Sequence, residues 1–429
     1  MYPEKELQHI RKLAEETAGY ARSDEMEARR KLWTQLNSFK FTRPAVYIRV
    51  IPFHEFTSEK EYVCTDPYLR GIEKSLLLNR YRMKLQDDFI IEPFVSVRAV
   101  FNGNAEGVYG VPADVDIFVP TSYGVSVQEL DTKTSTASGK AHIAPLAEEE
   151  DFEKLHVADY SINEKKTAER FERASEVFNG ILEVDVDRRG ELCEMWHNEI
   201  SNMLGRLRGP EQIIWDVYDR PEWFHKLLAF MRDSILKNMD QTEAAGGFSM
   251  LCHQNQSFPY AEELAPPATG VNGVKTSQLW GYSASQETET FGPDHFNEFM
   301  VEYQVPIMER YGLTAYGCCE NLTQKIDVLR KVKNLRRIAV TPFSDVRKCA
   351  EQLGKDYVAS YRPSPSTAVA RKVDEDFVRK ETRQAFEIFE ANGCTFDITL
   401  KDVETVAGDP NALIKWSEIV REEIERKYG

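Results

Sequence analysis

Nowhere in the 429 residues is there a run of about eighteen apolar side chains, so a membrane-spanning helix is excluded. Basic charge is also scarce: 54 Lys and Arg stand against 70 Asp and Glu, a formal net charge of −16. A phosphate backbone rewards a basic surface, so this balance argues against non-specific nucleic-acid binding and against an anionic membrane surface. Net charge says nothing about one cleft, however, and a local basic pocket for an anionic substrate stays open. The seven cysteines (Cys64, Cys193, Cys252, Cys318, Cys319, Cys349 and Cys394) are few, odd in number, and two of them are adjacent. They read as free thiols in a reducing compartment rather than a disulfide framework, and a cytoplasmic location is expected. The charged opening MYPEKELQHIRKLAEE lacks the apolar core of a secretory signal, so none is expected. Also missing are a GxxxxGK[ST] or GxGxxG phosphate loop, an HExxH, a CxxC pair and a Ser-His-Asp arrangement. Phosphate-loop, zincin and acyl-hydrolase readings drop out with them.

What is present is a long alternation of helical and extended patterns. Leu7, Ile10, Ala14 and Ala18 recur at helical spacing within residues 5–38, and Asp24 with Glu27 reads as a capping box for a second helix carrying Met26, Trp33 and Leu36. Residues 1–40 are therefore expected to be a helical extension packed on a body formed by residues 41–429. AVYIRVIPF (45–53) and DFIIEPFVSVRAVF (88–101) read as strands on either side of a helix at 66–86. From Asn102 to about Ala147 the chain changes character: GNAEGVYG, TSYG and KTSTASGK make 102–150 an elaborated loop insertion, a substrate lid or a dimer arm. Beyond residue 165 a helical stretch leads to QIIWDVY (212–218), Asp219 with Pro221 opens another helix, and GGFSMLC (246–252) and LWGYSAS (279–285) read as short strands.

The C-terminal part is the most regular. LTAYG, RRIAVTP, KDYVASY and CTFDITL are four short strands separated by helical runs, and Asp409 caps a last helix whose Leu413, Trp416, Val420 and Ile424 share one face. Strands alternating with helices every ~20–40 residues imply parallel βαβ units. In a chain of this size the run suits an α/β fold of the (β/α)8 barrel type better than an open sheet.

In such a barrel the chemistry sits where strands end and loops begin. That rule selects Cys318, Cys319, Glu320 and Asn321 after LTAYG, Phe343 and Ser344 after IAVTP, Arg362 after YVASY, and Lys401, Asp402 and Glu404 after CTFDITL. Earlier strands add His253, Gln254 and Asn255, then Gln286, Glu287 and Glu289. Zinc takes S, N and O ligands, so Cys319, Glu320 and His253 are the candidate metal set; the plain alternative is two small buried cysteines closing a strand. Cys394 precedes its strand and is expected at the opposite end. Lys401 and Asp402 read as a base, an orienter of substrate or an ion pair closing the last loop, and Glu287 joins them as a proton-handling candidate. Glu287 and Glu289 alternate, so only one of them faces a cavity. Arg362 suits a carboxylate through a bidentate fork, with Gln254, Gln286 and Tyr316 as further substrate contacts. Cys64, just before a helix, is a packing residue.

DPYLRGIEKSLLLNRYRMKLQDDFIIEPFV, WGYSASQETETFGPDHFNEFMVEYQVPIMERYGLTAYGCCENL, VASYRPSPSTAV and ITLKDVETVAGDP, with a tryptophan in the last helix, resemble the uroporphyrinogen decarboxylase-like superfamily. The resemblance runs from about residue 40 and is strongest from 275 onward. It implies a (β/α)8 barrel, usually a homodimer, and one of two chemistries: cofactor-free decarboxylation of porphyrinogen acetate groups, or zinc-assisted methyl transfer to a corrinoid protein. The paired arginines of the decarboxylases, in an RQAGR-like run, are absent. The methyltransferases carry His-x-Cys after the strand matching LTAYG and another cysteine after the last strand. Here Gly317 stands at the histidine position, Cys319 is kept, Glu320 is added, and Lys401-Asp402 replaces the second cysteine. The expectation is metal-assisted methyl transfer from a small methylated substrate to a corrinoid protein. The alternative is a cofactor-independent decarboxylase or lyase acting on a carboxylated substrate.

Overall fold

The computed structural model describes residues 2–49, 51–57, 61–102, 108–109, 144–369 and 372–429, and the backbone of 125–126. Most of the loop insertion expected at 102–150 lies outside the described residues. Among those described, nine strands build two parallel sheets. They are β1 (Val46–Ile48), β2 (Phe94–Arg98), β3 (Val125–Ser126), β4 (Glu183–Asp187), β5 (Trp280–Ser283), β6 (Leu313–Tyr316), β7 (Leu335–Val340), β8 (Val358–Tyr361) and β9 (Thr395–Leu400). The larger sheet has the order β1-β9-β8-β7-β6-β5 and the smaller one β3-β2-β4. The first is curled, half of a barrel wall, with helices outside it. The expected α/β class with parallel crossovers is therefore present, and the wall is compatible with a (β/α)8-type ring.

Parallel strands covered on both faces read as continuous apolar runs, which is why the C-terminal strands are legible in the sequence. Ile338, Val340, Ala359, Tyr361, Phe396, Ile398 and Leu400 pack outward on Val378, Phe386, Phe389, Trp416, Val420 and Ile424 of the covering helices. Tyr282 and Ala315 pack inward with Trp280, Ala284 and Cys318. The sheet thus has an inner face at the same level as the loop that follows β6.

Several expected elements move. The first two helices are Glu4–Ala21 and Asp24–Asn37, and the cap of the second is Ser23, whose hydroxyl accepts from the Met26 N–H at 3.3 Å, rather than Asp24. Only Val46–Ile48 and Phe94–Arg98 of the two long N-terminal runs are strand, and side chains of Asp87 and Asp88 accept from the backbone N–H groups of Ile48 and Val46 at 3.0 and 2.8 Å. QIIWDVY lies in the helix Pro210–Asp219; the helix after it has Pro221 in its first turn and no capping side chain. GGFSMLC is a turn closed by the Cys252 N–H on the Ser249 carbonyl at 2.9 Å, not a strand. The acidic run EVDVD, unread in the sequence, is β4; Arg98 and Arg189 pair with its Asp187. The last helix starts at Ala412, where Asp409 accepts from the Asn411 N–H at 3.0 Å.

The N-terminal extension closes the end of the curl where strands begin. Trp33 and Leu36 pack with Tyr47, Phe89, Phe258 and Val358, and the Trp33 indole donates to the Asp88 carbonyl at 2.8 Å. Asn37 donates to the carbonyls of Phe258 and Tyr260 and accepts from Arg337 at 2.6 Å. Arg337 in turn pairs with Asp397, both essentially buried at 2% and 0% exposure. Ser360 and Thr399 donate to the other Asp397 oxygen. One partner of a buried pair cannot be neutralised without stranding the other, so Asp397→Asn should cost about 3–5 kcal/mol. Urea unfolding checks this; a loss below about 1 kcal/mol would mean that the pair does not anchor this end of the sheet.

Candidate active site

At the opposite end, β6 runs out at Tyr316 and the chain turns through Gly317, whose φ is +103°. A Cβ there would stand 2.8 Å from the Ala339 Cβ and 2.9 Å from a Leu322 methyl, so position 317 has neither the backbone nor the space for a side chain. The turn is pinned from both sides. The Glu320 carboxylate accepts from the Ser285 N–H at 2.9 Å and from the Cys318 N–H at 2.7 Å. The Arg362 guanidinium, from the end of β8, donates to the carbonyls of Cys318 and, at 3.3 Å, Gly317. Arg362 is thus a clamp on the cysteine loop.

Held this way, the two sulfurs face Lys401 at the end of β9. Lys401 Nζ lies 3.2 Å from Cys318 Sγ, 3.0 Å from Cys319 Sγ and 2.9 Å from an Asp402 oxygen, and the sulfurs are 3.7 Å apart. An Asp402 oxygen also lies 3.2 Å from Cys319 Sγ, and Asp402 holds a left-handed backbone conformation, φ +57°, that only local constraint holds for a residue with a side chain. A hydrogen bond from Cys319, reinforced by the charges of Lys401 and Arg362, pulls the Cys318 thiol well below its usual range despite burial. That same hydrogen bond, then burial and the Cys318 charge, push Cys319 up, so of the two sulfurs Cys318 is the one that ionises more readily. Burial works against the ammonium, and the charges of Cys318 and Asp402 more than offset it, so Lys401 stays charged.

A second pair of acids stands beside the sulfurs. Glu287 is held by the Ser201 hydroxyl at 2.7 Å and by Asn202 at 3.4 Å. Gly205 lets the helix Ser201–Arg208 approach it: a Cβ there would lie 2.6 Å from the Glu287 Cγ. Glu199 precedes Ile200, a β-branched residue at φ +65° closed into a tight turn by the Ser201 N–H on the Glu199 carbonyl at 2.8 Å. Burial and then the charge of Glu287 raise Glu199 well above the carboxylate range; burial, with the Cys318 charge adding to it, raises Glu287. One Glu199 oxygen is buried without a partner among the described residues. Among the described residues neither acid is in an ion pair, so both carboxyls hold a proton more tightly than an exposed carboxylate does.

Of the residues singled out in the sequence, Cys319, Glu320, Lys401, Asp402, Glu287 and Arg362 gather here. Glu287 sits on a one-turn 3-10 helix, Gln286–Thr288, with Gln286 and Glu289 exposed beside it. Gln254, Tyr316 and His253 sit elsewhere. The Gln254 amide donates to the Cys193 carbonyl and to the Tyr311 hydroxyl at 3.2 Å, and the Tyr316 hydroxyl to Gln304 at 2.8 Å, among the residues packed between sheet and helices. His253 accepts the N–H of Trp280, the first residue of β5, at 3.1 Å, and burial pulls it down to about 3, so it is neutral. Cys394 lies at the start of β9, its thiol on the Ala350 carbonyl at 3.4 Å, as expected of the far end. Cys64 is buried, and burial with Glu73 lifts it to about 12.

Three groups at the site carried no sequence signal. Gln256, two residues after Gln254, bonds both Tyr282 and the Cys318 sulfur. Arg49, following β1, is 5% exposed and its Nε and one terminal nitrogen have no partner among the described residues; it lies 5.9 Å from the Trp196 ring. Glu199 is the third.

Zinc, implied by the resemblance, does not fit these residues. The ammonium of Lys401 occupies the side of both sulfurs from which a dication would draw the same lone pairs. Both Glu320 oxygens are committed to backbone N–H groups, His253 is tied to the start of β5, and position 317 admits no histidine. Among the described residues no three His, Cys, Asp or Glu side chains form a metal-holding group. Compared with known proteins, the chain matches no family model and no curated protein.

Removing the cation should return the thiol towards an ordinary value of ~8.5. In Lys401→Met, alkylation of Cys318 by iodoacetamide at neutral pH is therefore expected to slow by roughly tenfold or more. Mass spectrometry of the peptide spanning 318–319 checks it, and an unchanged rate would mean that Lys401 does not hold the thiolate.

Proposed function

We propose that this chain is an enzyme that takes a methyl group from a small methylated substrate and passes it to a corrinoid protein, working at the mouth of a barrel completed to eight parallel strands. The observation that supports it is the Cys318 thiolate held between Cys319, Lys401 and Arg362, a soft nucleophile poised at neutral pH. The chemistry runs on the chain's own side chains. Cys318 Sγ attacks the methyl carbon as the carbon–heteroatom bond breaks, and the proton of Glu287 or Glu199 goes to the departing heteroatom. The products are the demethylated substrate and a methyl thioether on Cys318. The corrinoid protein would be the acceptor of that methyl, and as the S–CH3 bond breaks the Cys318 sulfur leaves as a thiolate stabilised by Lys401. A dimer and a cytoplasmic setting go with this reading through the resemblance alone.

The opposed protonation needs give the reaction a bell-shaped pH profile. Activity is lost at low pH as Cys318 takes up a proton, and at high pH as the raised Glu287 and Glu199 give theirs up. Replacing Glu287 by Gln should lower single-turnover methylation of Cys318 by about 10²–10³ for a methoxyarene, which needs its leaving oxygen protonated. A methylsulfonium donor, with a neutral leaving group, should lose almost nothing. The readout is the added methyl on the 318–319 peptide. Equal loss for both donors would remove Glu287 from the acid role, and no methylation with either would remove the reading.

A decarboxylase or lyase is favoured by one other observation. Arg49 Nε and Nη2 and Arg362 Nε are buried donors without partners among the described residues, suited to a substrate carboxylate. In that reading Glu199 or Glu287 protonates the carbanion left when carbon dioxide departs. Release of carbon dioxide from a carboxylated substrate without methylation of Cys318 separates the two.

A further inference from the structure

We propose that Cys318 and Cys319 are a redox modification site, closing into a reversible vicinal disulfide when a hydroperoxide enters the mouth. Three features of the geometry carry this. The sulfurs are 3.7 Å apart, and a disulfide bond of about 2.05 Å needs each to move by less than ~1 Å. Lys401 stands almost equally far from both, 3.2 and 3.0 Å, so its charge stabilises a thiolate on either sulfur. Cys319 is half-buried while the other six cysteines are buried, so the pair has the chain's one partly exposed thiol as its entrance. The site chemistry is also directional: Asp402, 3.2 Å from Cys319 Sγ, is placed to take its proton.

The steps balance with the hydroperoxide as the sole oxidant. The Cys318 thiolate attacks the distal peroxide oxygen, the O–O bond breaks, and Cys318 becomes a sulfenic acid while the displaced oxygen leaves as water or alcohol with a proton from solvent. Cys319 then gives its proton to Asp402 and attacks Cys318 Sγ. The S–S bond forms, the S–O bond breaks, and hydroxide leaves as water after protonation. Two thiols are oxidised and one peroxide is reduced. The product is an eight-membered ring whose two α-carbons are closer than disulfides usually allow, so it is strained and readily reduced by a dithiol. Such a bond is a reversible modification rather than a structural one. The remaining cysteines are poor competitors: burial raises Cys64, Cys193, Cys252, Cys349 and Cys394 above the usual thiol range.

This chemistry stands whether or not methyl transfer does, because its readout is the covalent state of the loop. Fully reduced protein is treated with a stoichiometric amount of hydrogen peroxide, denatured and alkylated, and its peptides are weighed. The expected 318–319 peptide is two hydrogens lighter and unalkylated, the other five cysteines carry the alkyl group, and dithiothreitol restores both thiols. In C319S the reaction should stop at a Cys318 sulfenic acid trapped by dimedone. In Lys401→Met and Asp402→Asn, with circular dichroism unchanged, ring closure should slow by roughly tenfold and a few-fold. Oxidation that ends in sulfinic acid at either residue, in a bond between chains, or in full alkylation of both thiols would overturn the proposal.

Discussion

One ammonium group organises the end of the sheet at which the strands run out. Lys401 sits at the end of β9 and the sulfurs it touches follow β6, three strands away in the sheet order. In a flat sheet those ends would be about 14 Å apart, at ~4.8 Å per strand. Contacts of 3.0 and 3.2 Å exist because the sheet curls. The curl in turn depends on what fills its inner face. At the far end that is the buried Arg337–Asp397 pair with Asn37 against it, and above it the aromatic layer of Trp280 and Tyr282. The chain's polar interior therefore works in two levels: a saturated one that closes the sheet, and a reactive one that the closure creates.

The reactive level is asymmetric, and that asymmetry is its chemistry. Cations converge on the sulfurs while the two carboxyls beside them have, among the described residues, no ion pair of their own. Groups whose surroundings push their proton affinities apart can hold a base and an acid in one cavity at one pH. Two strained backbone residues, Ile200 and Asp402, stand on the two sides of this division. Both carry side chains where glycine would be easier; Asp402 brings its own carboxylate to the site, and Ile200 follows directly on Glu199.

How far the sequence led depended on the type of signal. Strands β5 to β9 announce themselves because both faces are buried and their apolar runs end at turns. The strand-end rule then brought Cys319, Glu320, Lys401, Asp402, Glu287 and Arg362 into view, and these meet in space. It could not say which neighbour along an irregular segment points inward, so Gln254 was chosen where Gln256 stands, and Tyr316 was placed in the mouth although strand alternation turns it to the helices. Strand β4 escaped because EVDVD looks solvated until Arg98 and Arg189 are seen against it. The zinc expectation rested on residue types that favour a metal, and what opposes it is a lysine whose position only the curled sheet supplies. Glu199 and Arg49 had no local pattern at all; their roles come from contacts made across the fold.

The measurement that bears most directly on this account is the ultraviolet thiolate absorbance of the reduced protein, followed from acid to alkaline pH and compared with Cys318→Ser. Five cysteines are raised by burial and Cys319 by its partner, so one thiolate per chain is expected at neutral pH, and none in the variant. A protein with no thiolate until the pH passes about 8.5, or with the same signal in the variant, would contradict the central claim that Lys401 and its neighbours hold Cys318 ionised.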